Sequence, residues 1–286
     1  MTAVATATRP LEERERAPLN RPNKRWTRFI LPVYTIAMIV YLASPIVTMI
    51  LYSFNDVPGV RETQTPRFWG FTLDWWKNVW DIPGLPAAFR LSLKIAIPSA
   101  AISTVLGALF GLALGRYRFR GVRGVDFIIF LAIAVPEIVL GASLLTLFVL
   151  AEFPLGFGSI LLSHIGFSVA FVAVTVRARV QGLDRNLEDA AQDLFASPVT
   201  AFVKVTLPLI APALMAGFLL AFVLSLDDFV ISNFVAGQDS TFPLWVYGAQ
   251  RIGLPPQVNV MATILFAAGI VAAIANVVAQ RRRGTT

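Results

Sequence analysis

The sequence predicts an all-α integral membrane protein with six transmembrane helices. Of its 286 residues, 56% are hydrophobic and only 14% are charged. The apolar residues gather in long runs, each near the roughly 20 residues that a helix needs to cross a bilayer. These runs cover residues 29–53, 91–115, 127–151, 156–176, 209–236 and 258–279.

The basic residues predict the orientation. With the N-terminus inside, 18 Lys and Arg side chains fall in cytoplasmic segments and five in outer segments. This asymmetry follows the positive-inside rule and predicts that both termini are cytoplasmic. It also accounts for the net charge of +7 without a nucleic-acid partner. Residues 1–28 are polar and predict a disordered cytoplasmic tail, and residues 29–283 predict the membrane domain.

Several kinds of site are excluded by composition. There is no Cys and only one His, so neither a disulfide framework nor a thiolate or histidine metal cluster can form. No G-x-x-x-x-G-K-[ST] sequence is present, so the chain has no phosphate-binding loop of that type. We therefore expect no cofactor and no catalytic residue in this chain.

Two apolar features predict packing. Gly107, Gly111 and Gly115 recur every four residues in the second span and predict a flat face for close helix packing. In the outer loop, residues 71–80 read FTLDWWKNVW and predict an interfacial helix held at the headgroup level. Docking of an external partner is the alternative role for that segment.

A polar stretch at residues 186–212 predicts two short helices between membrane spans. Asn186 is a good N-cap, and two carboxylates follow in the first turn, where the positive helix end favours them. Ser197 followed by Pro198 predicts the start of the second helix. One face of the first helix is apolar and consists of Leu187, Ala190, Ala191 and Leu194.

This stretch resembles the EAA loop of membrane subunits in binding-protein-dependent ABC importers. That loop has E-A-A, three residues, Gly, nine residues, a β-branched residue, any residue and Leu-Pro. The spacing matches from Asp189-Ala190-Ala191 to Leu207-Pro208, with Asp189 in place of Glu and Phe195 in place of Gly. Since Gly adopts a left-handed turn more easily than Phe, we expect the turn at Phe195 to differ from the family pattern. An amphipathic helix on the bilayer surface is the alternative.

The resemblance implies a type I ABC importer permease fold in the bacterial plasma membrane. It implies a second permease subunit, an ATPase dimer that carries ATP and Mg, and an extracytoplasmic solute-binding protein. The cytoplasmic loop, about residues 180–208, would contact the ATPase. The residues implied in that contact are Glu188, Asp189, Ala190, Ala191, Asp193, Leu194, Phe195 and Ser197.

Three carboxylates lie inside predicted spans: Glu137, Asp227 and Asp228. An ionised group there costs a few kcal/mol and usually faces a cavity or a partner. Each is either part of a cation pathway or a buried, hydrogen-bonded acid. Successive helical residues point about 100° apart, so one of the Asp pair can face a pathway while the other caps or pairs. We expect His164 to be packed and hydrogen-bonded, in preference to acting as a proton relay.

Other segments narrow the resemblance to the spermidine/putrescine branch of these permeases. They are residues 70–76, 136–145, 225–237 and 241–265. The resemblance implies import of polyamines or related small cations, with an opine or an amino acid as the alternative substrate. An ion-coupled secondary transporter, a membrane enzyme and a scaffold remain as rivals. We see no inverted repeat and no complete set of enzymatic groups to favour the first two.

Overall fold

The computed structural model describes residues 27–59, 67–184, 186–251 and 253–283, and the regular structure in these ranges is helical. The predicted tail lies outside them except for its last two residues, which begin the first helix. The described residues fall into two compact units, which divide between Met49 and Ile50. The helices are α1 (Thr27–Tyr52), α2 (Asp74–Lys77), α3 (Leu85–Arg116), α4 (Val122–Ala134), α5 (Glu137–Leu150), α6 (Phe157–Gln181), α7 (Asn186–Asp193), α8 (Pro198–Ala201), α9 (Leu207–Asp227), α10 (Val230–Val235), α11 (Phe242–Gln250) and α12 (Gln257–Arg283).

Within these described ranges, four helical segments are long and apolar enough to cross a membrane. They correspond to α1, α3, α6, and α8–α9 taken together with the turn that joins them. A bent pair, α4 and α5, makes a fifth if it is counted as one span. The sixth predicted run lies in α12, where the apolar helix Gln257–Val271 is shorter than the others. In the part of the chain that the structure describes, the fold is therefore all-helical, with four or five segments long and apolar enough to cross a membrane.

The third predicted span is not one continuous helix. α4 and α5 meet at an angle of 106°, so the expectation of a single helix over residues 127–151 is wrong. Pro136 has no amide proton to donate, and its ring disfavours the helical conformation at the residue before it. Val135 accordingly takes an extended conformation, with φ −67° and ψ 130°. The fifth predicted span is also interrupted, because α9 ends at Asp227 before α10 begins.

The second unit is built on the contact between α3 and α6, and the three glycines of α3 make that contact close. A Cβ added to Gly107 would lie 2.6 Å from the Cβ of Val172, and one added to Gly111 would lie 2.8 Å from the carbonyl oxygen of Ala173. One on Gly115 would lie 2.8 Å from a methyl carbon of α6. These distances are too short for real Cβ contacts, so the predicted packing face is confirmed.

α9 packs against the same helix pair and completes the core. Gly217 of α9 faces Val172, which would lie 3.0 Å from an added Cβ. Glycines on α3 and α9 therefore let these helices approach α6 closely, as small residues do in membrane helix bundles. The buried residues of this core are Ala100, Val172, Val176, Val180, Ile210 and Ala221.

The outer loop is ordered by Asn55. Its side-chain amide donates to the carbonyl of Arg67 (2.9 Å) and accepts from the amide of Trp69 (2.7 Å). Its own carbonyl accepts from the indole of Trp75 (2.8 Å). One buried polar residue thus joins the start of the loop to a segment 12–20 residues later.

The interfacial helix predicted over residues 71–80 is wrong in extent, because only the four residues of α2 are helical there. Trp76 and Phe71 both stack on Phe54, with ring centroids 5.3 and 5.2 Å apart. Phe71 and Trp80 nevertheless keep exposed faces. The aromatic segment therefore packs against the start of the loop, and anchoring by its exposed faces stays a prediction.

The α3–α6 contact generates a stability prediction. Gly111→Ala should lower the free energy of unfolding by about 1–3 kcal/mol, because its Cβ would overlap the α6 backbone. Gly166→Ala is the matched control, since Gly166 is also helical and an added Cβ there would meet nothing within 4 Å. Thermal unfolding of the detergent-solubilised subunit compares them. Equal midpoints for the two variants would contradict the close packing.

Candidate functional site

The loop between α6 and α9 folds into the two predicted short helices. α7 begins at Asn186, whose amide donates to the Asp184 carboxylate (3.0 Å). Asn186 is the first residue inside α7, whereas a capping residue precedes the helix, so the prediction that Asn186 caps α7 is wrong. Ser197 caps α8 by accepting from the amide of Thr200 (3.2 Å), as predicted. A five-residue π-helical turn, Phe202–Thr206, then joins α8 to α9.

The turn after α7 keeps the left-handed geometry that a glycine would take. Phe195 has φ +63°, so the expectation of a different turn at this position is wrong. The amide of Phe195 donates to Gln192 O (2.9 Å), and that of Ala196 donates to Ala191 O (3.1 Å). This is the Schellman pattern that closes many helices. For a residue with a Cβ, the left-handed conformation costs roughly 1–2 kcal/mol.

The end of α7 and the start of α8 present an exposed apolar surface, which we call the loop patch. It consists of Leu194, Phe195 and Val199, which are 82%, 98% and 72% exposed. Asp189, Ala190, Asp193 and Ser197 are also exposed, and Ala191 is half-buried. Most of the residues that sequence predicts for the ATPase contact are thus accessible in this chain.

Glu188 is the exception, because it faces inward. Its carboxylate accepts hydrogen bonds from both terminal nitrogens of the Arg116 guanidinium, at the C-terminal end of α3. The Glu188 side chain is only 17% exposed. Such two-point pairing is geometrically specific. Of the two carboxylates in the first turn of α7, only Asp189 is free to face a partner, whereas Glu188 joins the loop to α3.

Two further contacts near the loop escaped sequence analysis. Arg177 of α6 pairs with Asp126 of α4, and the Nε of Arg179 donates to the carbonyl of Leu209 in α9 (3.0 Å). The partners lie 51 and 30 residues apart in the chain. No local periodicity signals such pairs. Together with Arg116–Glu188 they tie α3, α4, α6, α7 and α9 at one end of the helices.

A second polar cluster lies at the break between α9 and α10. Asp228 occupies the break and accepts from the amides of Ile231 (3.2 Å) and Ser232 (2.8 Å). Its Oδ2 is also 3.1 Å from Nε2 of His164, and the two side chains are 6% and 2% exposed. The Nδ1 of His164 is 2.7 Å from the hydroxyl of Ser225. Asp228 therefore both caps α10 and pairs, as predicted for one member of the Asp pair.

These contacts assign the protons of His164. A carboxylate only accepts, so Nε2 donates to Asp228 and, in the neutral ring, Nδ1 accepts from the Ser225 hydroxyl. The expectation that His164 is packed and hydrogen-bonded is confirmed. The cluster joins α6 to both sides of the break, so it fixes where the fifth span is interrupted.

The other two intramembrane carboxylates are in different environments. Asp227 is exposed at the C-terminal end of α9. Among the described residues it has no hydrogen bond or ion pair. Glu137 is exposed too, and it lies in the first turn of α5 just after the bend. The positive end of α5 offsets its charge there. In the part of the chain that the structure describes, no group of three or more His, Cys, Asp or Glu could hold a metal ion.

The chain is similar to known membrane subunits over most of its length. Residues 104–283 match the family described as "Binding-protein-dependent transport system inner membrane component". The chain is 40% identical over 253 residues to the spermidine/putrescine transport system permease protein PotC of Escherichia coli strain K12, covering 87% of this chain and 94% of that protein. It is 38% identical over 245 residues to the putrescine transport system permease protein PotI of the same strain, covering 82% and 85%.

Solved structures share the fold at low identity. A bacterial ABC transporter that imports the acidic polysaccharide alginate matches with a TM-score of 0.63 at 19% identity, covering 90% of this chain and 98% of that chain. An amino acid ABC transporter matches with a TM-score of 0.55 at 19% identity, covering 74% and 100%. The helices, the loop and these similarities lead to one conclusion: the chain belongs to the binding-protein-dependent inner membrane components, the permease subunits of ABC importers.

Proposed function

We propose that this permease imports polyamines such as spermidine and putrescine, or related small cations. The similarity to permeases named for these substrates, at 38–40% identity over most of both chains, carries the proposal. The geometry agrees with it, because an exposed carboxylate without a partner among the described residues, Asp227, ends the apolar helix α9. A cation passing that point would compensate the charge that the membrane penalises.

The assembly that we propose has two permease subunits with six spans each and both termini in the cytoplasm. An ATPase dimer binds the loop from the cytoplasm and holds ATP and Mg. A solute-binding protein delivers the substrate from outside the inner membrane. The excess of basic residues in the segments assigned to the cytoplasm supports this orientation.

Coupling follows from the contacts of the loop. The loop patch would dock against the ATPase, because three large apolar side chains on a cytoplasmic surface otherwise remain in water. Through Arg116–Glu188 a displacement of α7 would pull on α3. Through the π-helical turn at Phe202–Thr206 it would act on α9. The two helices that meet α6 in the core would therefore move with the ATPase.

Reconstituted transport tests the proposal. The subunit is assembled in proteoliposomes with its partner permease, its ATPase and its binding protein. We expect ATP-dependent uptake of labelled spermidine or putrescine that requires the binding protein. Calorimetry of the binding protein against polyamines, opines and amino acids identifies the substrate independently. Uptake of an opine or an amino acid without polyamine uptake would contradict the proposed substrate class.

Phe195 provides a prediction about the ATPase contact. If its ring enters an apolar ATPase pocket, Phe195→Ala and Phe195→Gly should both weaken ATPase binding about 10–100-fold, the effect of losing a buried Phe side chain. Only Phe195→Gly also relieves the left-handed strain, so it should raise subunit stability relative to Phe195→Ala by about 1 kcal/mol. Pull-down titration and thermal unfolding measure the two effects. Wild-type ATPase affinity in both variants would contradict the docking role.

The Asp pair provides a second prediction, because the two carboxylates have different surroundings. Asp227→Asn should reduce uptake while leaving the yield of assembled complex unchanged. Asp228→Asn replaces one carboxylate oxygen by an NH2 group that cannot accept from the α10 amides or from His164. It should lower the yield, with a loss of about 1–3 kcal/mol in stability for the buried donor left unpaired. Uptake and detergent-extracted yield are measured for both. Full uptake by Asp227→Asn, or full yield for Asp228→Asn, would contradict the respective assignment.

A further inference from the structure

An aromatic pair lies beside the end of α9 and serves neither the loop contact nor the His164 cluster. It consists of Phe229, in the break between α9 and α10, and Tyr247 of α11. Their ring centroids are 4.7 Å apart and the planes are inclined by 46°. Tyr247 is 45% exposed, so part of its ring is open to a further group.

A cation already lies over the Tyr247 ring of this pair. The guanidinium carbon of Arg251 lies 5.3 Å from the centroid of the Tyr247 ring. A cation within about 6 Å of an aromatic face is attracted by the negative face of the ring. Arg251 is itself exposed, and none of the described carboxylates forms an ion pair with it. The contact is therefore one that a competing cation can replace.

Asp227 lies close to the pair along the chain and carries a negative charge. It precedes Phe229 by two residues, which is at most about 7 Å of backbone. It ends a helix of 21 residues, and the C-terminal end of a helix carries a partial negative charge that favours cations. Its neighbour Asp228 is held by His164, Ile231 and Ser232. The carboxylate of Asp227 is the one left for an incoming ligand.

We propose that Asp227, Phe229 and Tyr247 form a subsite for an alkylammonium group, and that Arg251 occupies the Tyr247 face until a ligand displaces it. The inference rests on the proposed function, since it assigns the contacts of its cationic substrate. The ammonium group would pair with Asp227, while the methylene groups next to it pack on the two rings. A ligand that carries a carboxylate would be repelled by Asp227, so the subsite would select polyamines over amino acids.

Tetramethylammonium is the probe for this subsite, because a quaternary ammonium binds aromatic faces and offers a single methyl resonance. Its binding is measured by saturation-transfer NMR on the complete transporter in lipid nanodiscs without the binding protein. We expect saturable binding that putrescine displaces. Tyr247→Leu should weaken it about two- to fivefold, whereas Tyr247→Phe keeps the aromatic face and should stay within a factor of two of wild type.

Arg251→Gln removes the competing cation and should tighten binding about two- to fivefold, an effect that misfolding cannot imitate. Tyr117→Leu is the matched control, since Tyr117 is exposed at the far end of α3. Binding unchanged by both Tyr247→Leu and Arg251→Gln, or binding that putrescine does not displace, would overturn the subsite. Failure of the proposed function would give a different result, namely no polyamine uptake by the wild-type transporter.

Discussion

Close contact between α3 and α6 is the constraint on which the second unit depends. Three glycines of α3 leave no room for a side chain against α6. In lipid, helix association relies on such packing because the apolar environment supplies no hydrophobic driving force. α3 and α6 also carry the polar side chains that hold the α7–α8 loop and the break between α9 and α10. Arg116 holds the loop that contains α7 and α8, and His164 holds the break between α9 and α10.

Polar contacts lie at two levels along the α3–α6 pair, namely at the loop end and at the break between α9 and α10. At the loop end, ion pairs link α3 to α7 and α6 to α4. Where α9 breaks, Asp228 is buried against His164 and accepts from the free amides of α10. Buried polar groups are costly unless their hydrogen bonds are made. The hydroxyls of Ser225 and Ser232 lie within hydrogen-bond distance of the two ring nitrogens of His164, and Asp227 is left exposed beside the break.

Sequence patterns predicted the features that depend on local composition. Within the described residues, hydropathy located four of the six predicted membrane segments, or five if the bent α4–α5 pair is one span. Glycine spacing located the packing face, and Ser197-Pro198 located the start of α8. The bend at Val135–Pro136 was missed because hydropathy is high on both sides of the proline and does not report the direction of the helix. The partners of Glu188 and His164 were missed because they are 72 and 64 residues away. At Phe195, local preference opposed the left-handed turn, and the two Schellman hydrogen bonds outweighed it.

We propose that the Arg116–Glu188 pair transmits loop movement to α3, and Glu188→Gln tests this proposal most directly. The substitution keeps the size of the side chain and removes its charge. In proteoliposomes, the ratio of substrate imported to ATP hydrolysed is measured together with the amount of bound ATPase. We expect the ratio to fall severalfold while the loop patch still binds the ATPase in normal amounts. An unchanged ratio in Glu188→Gln would contradict the account.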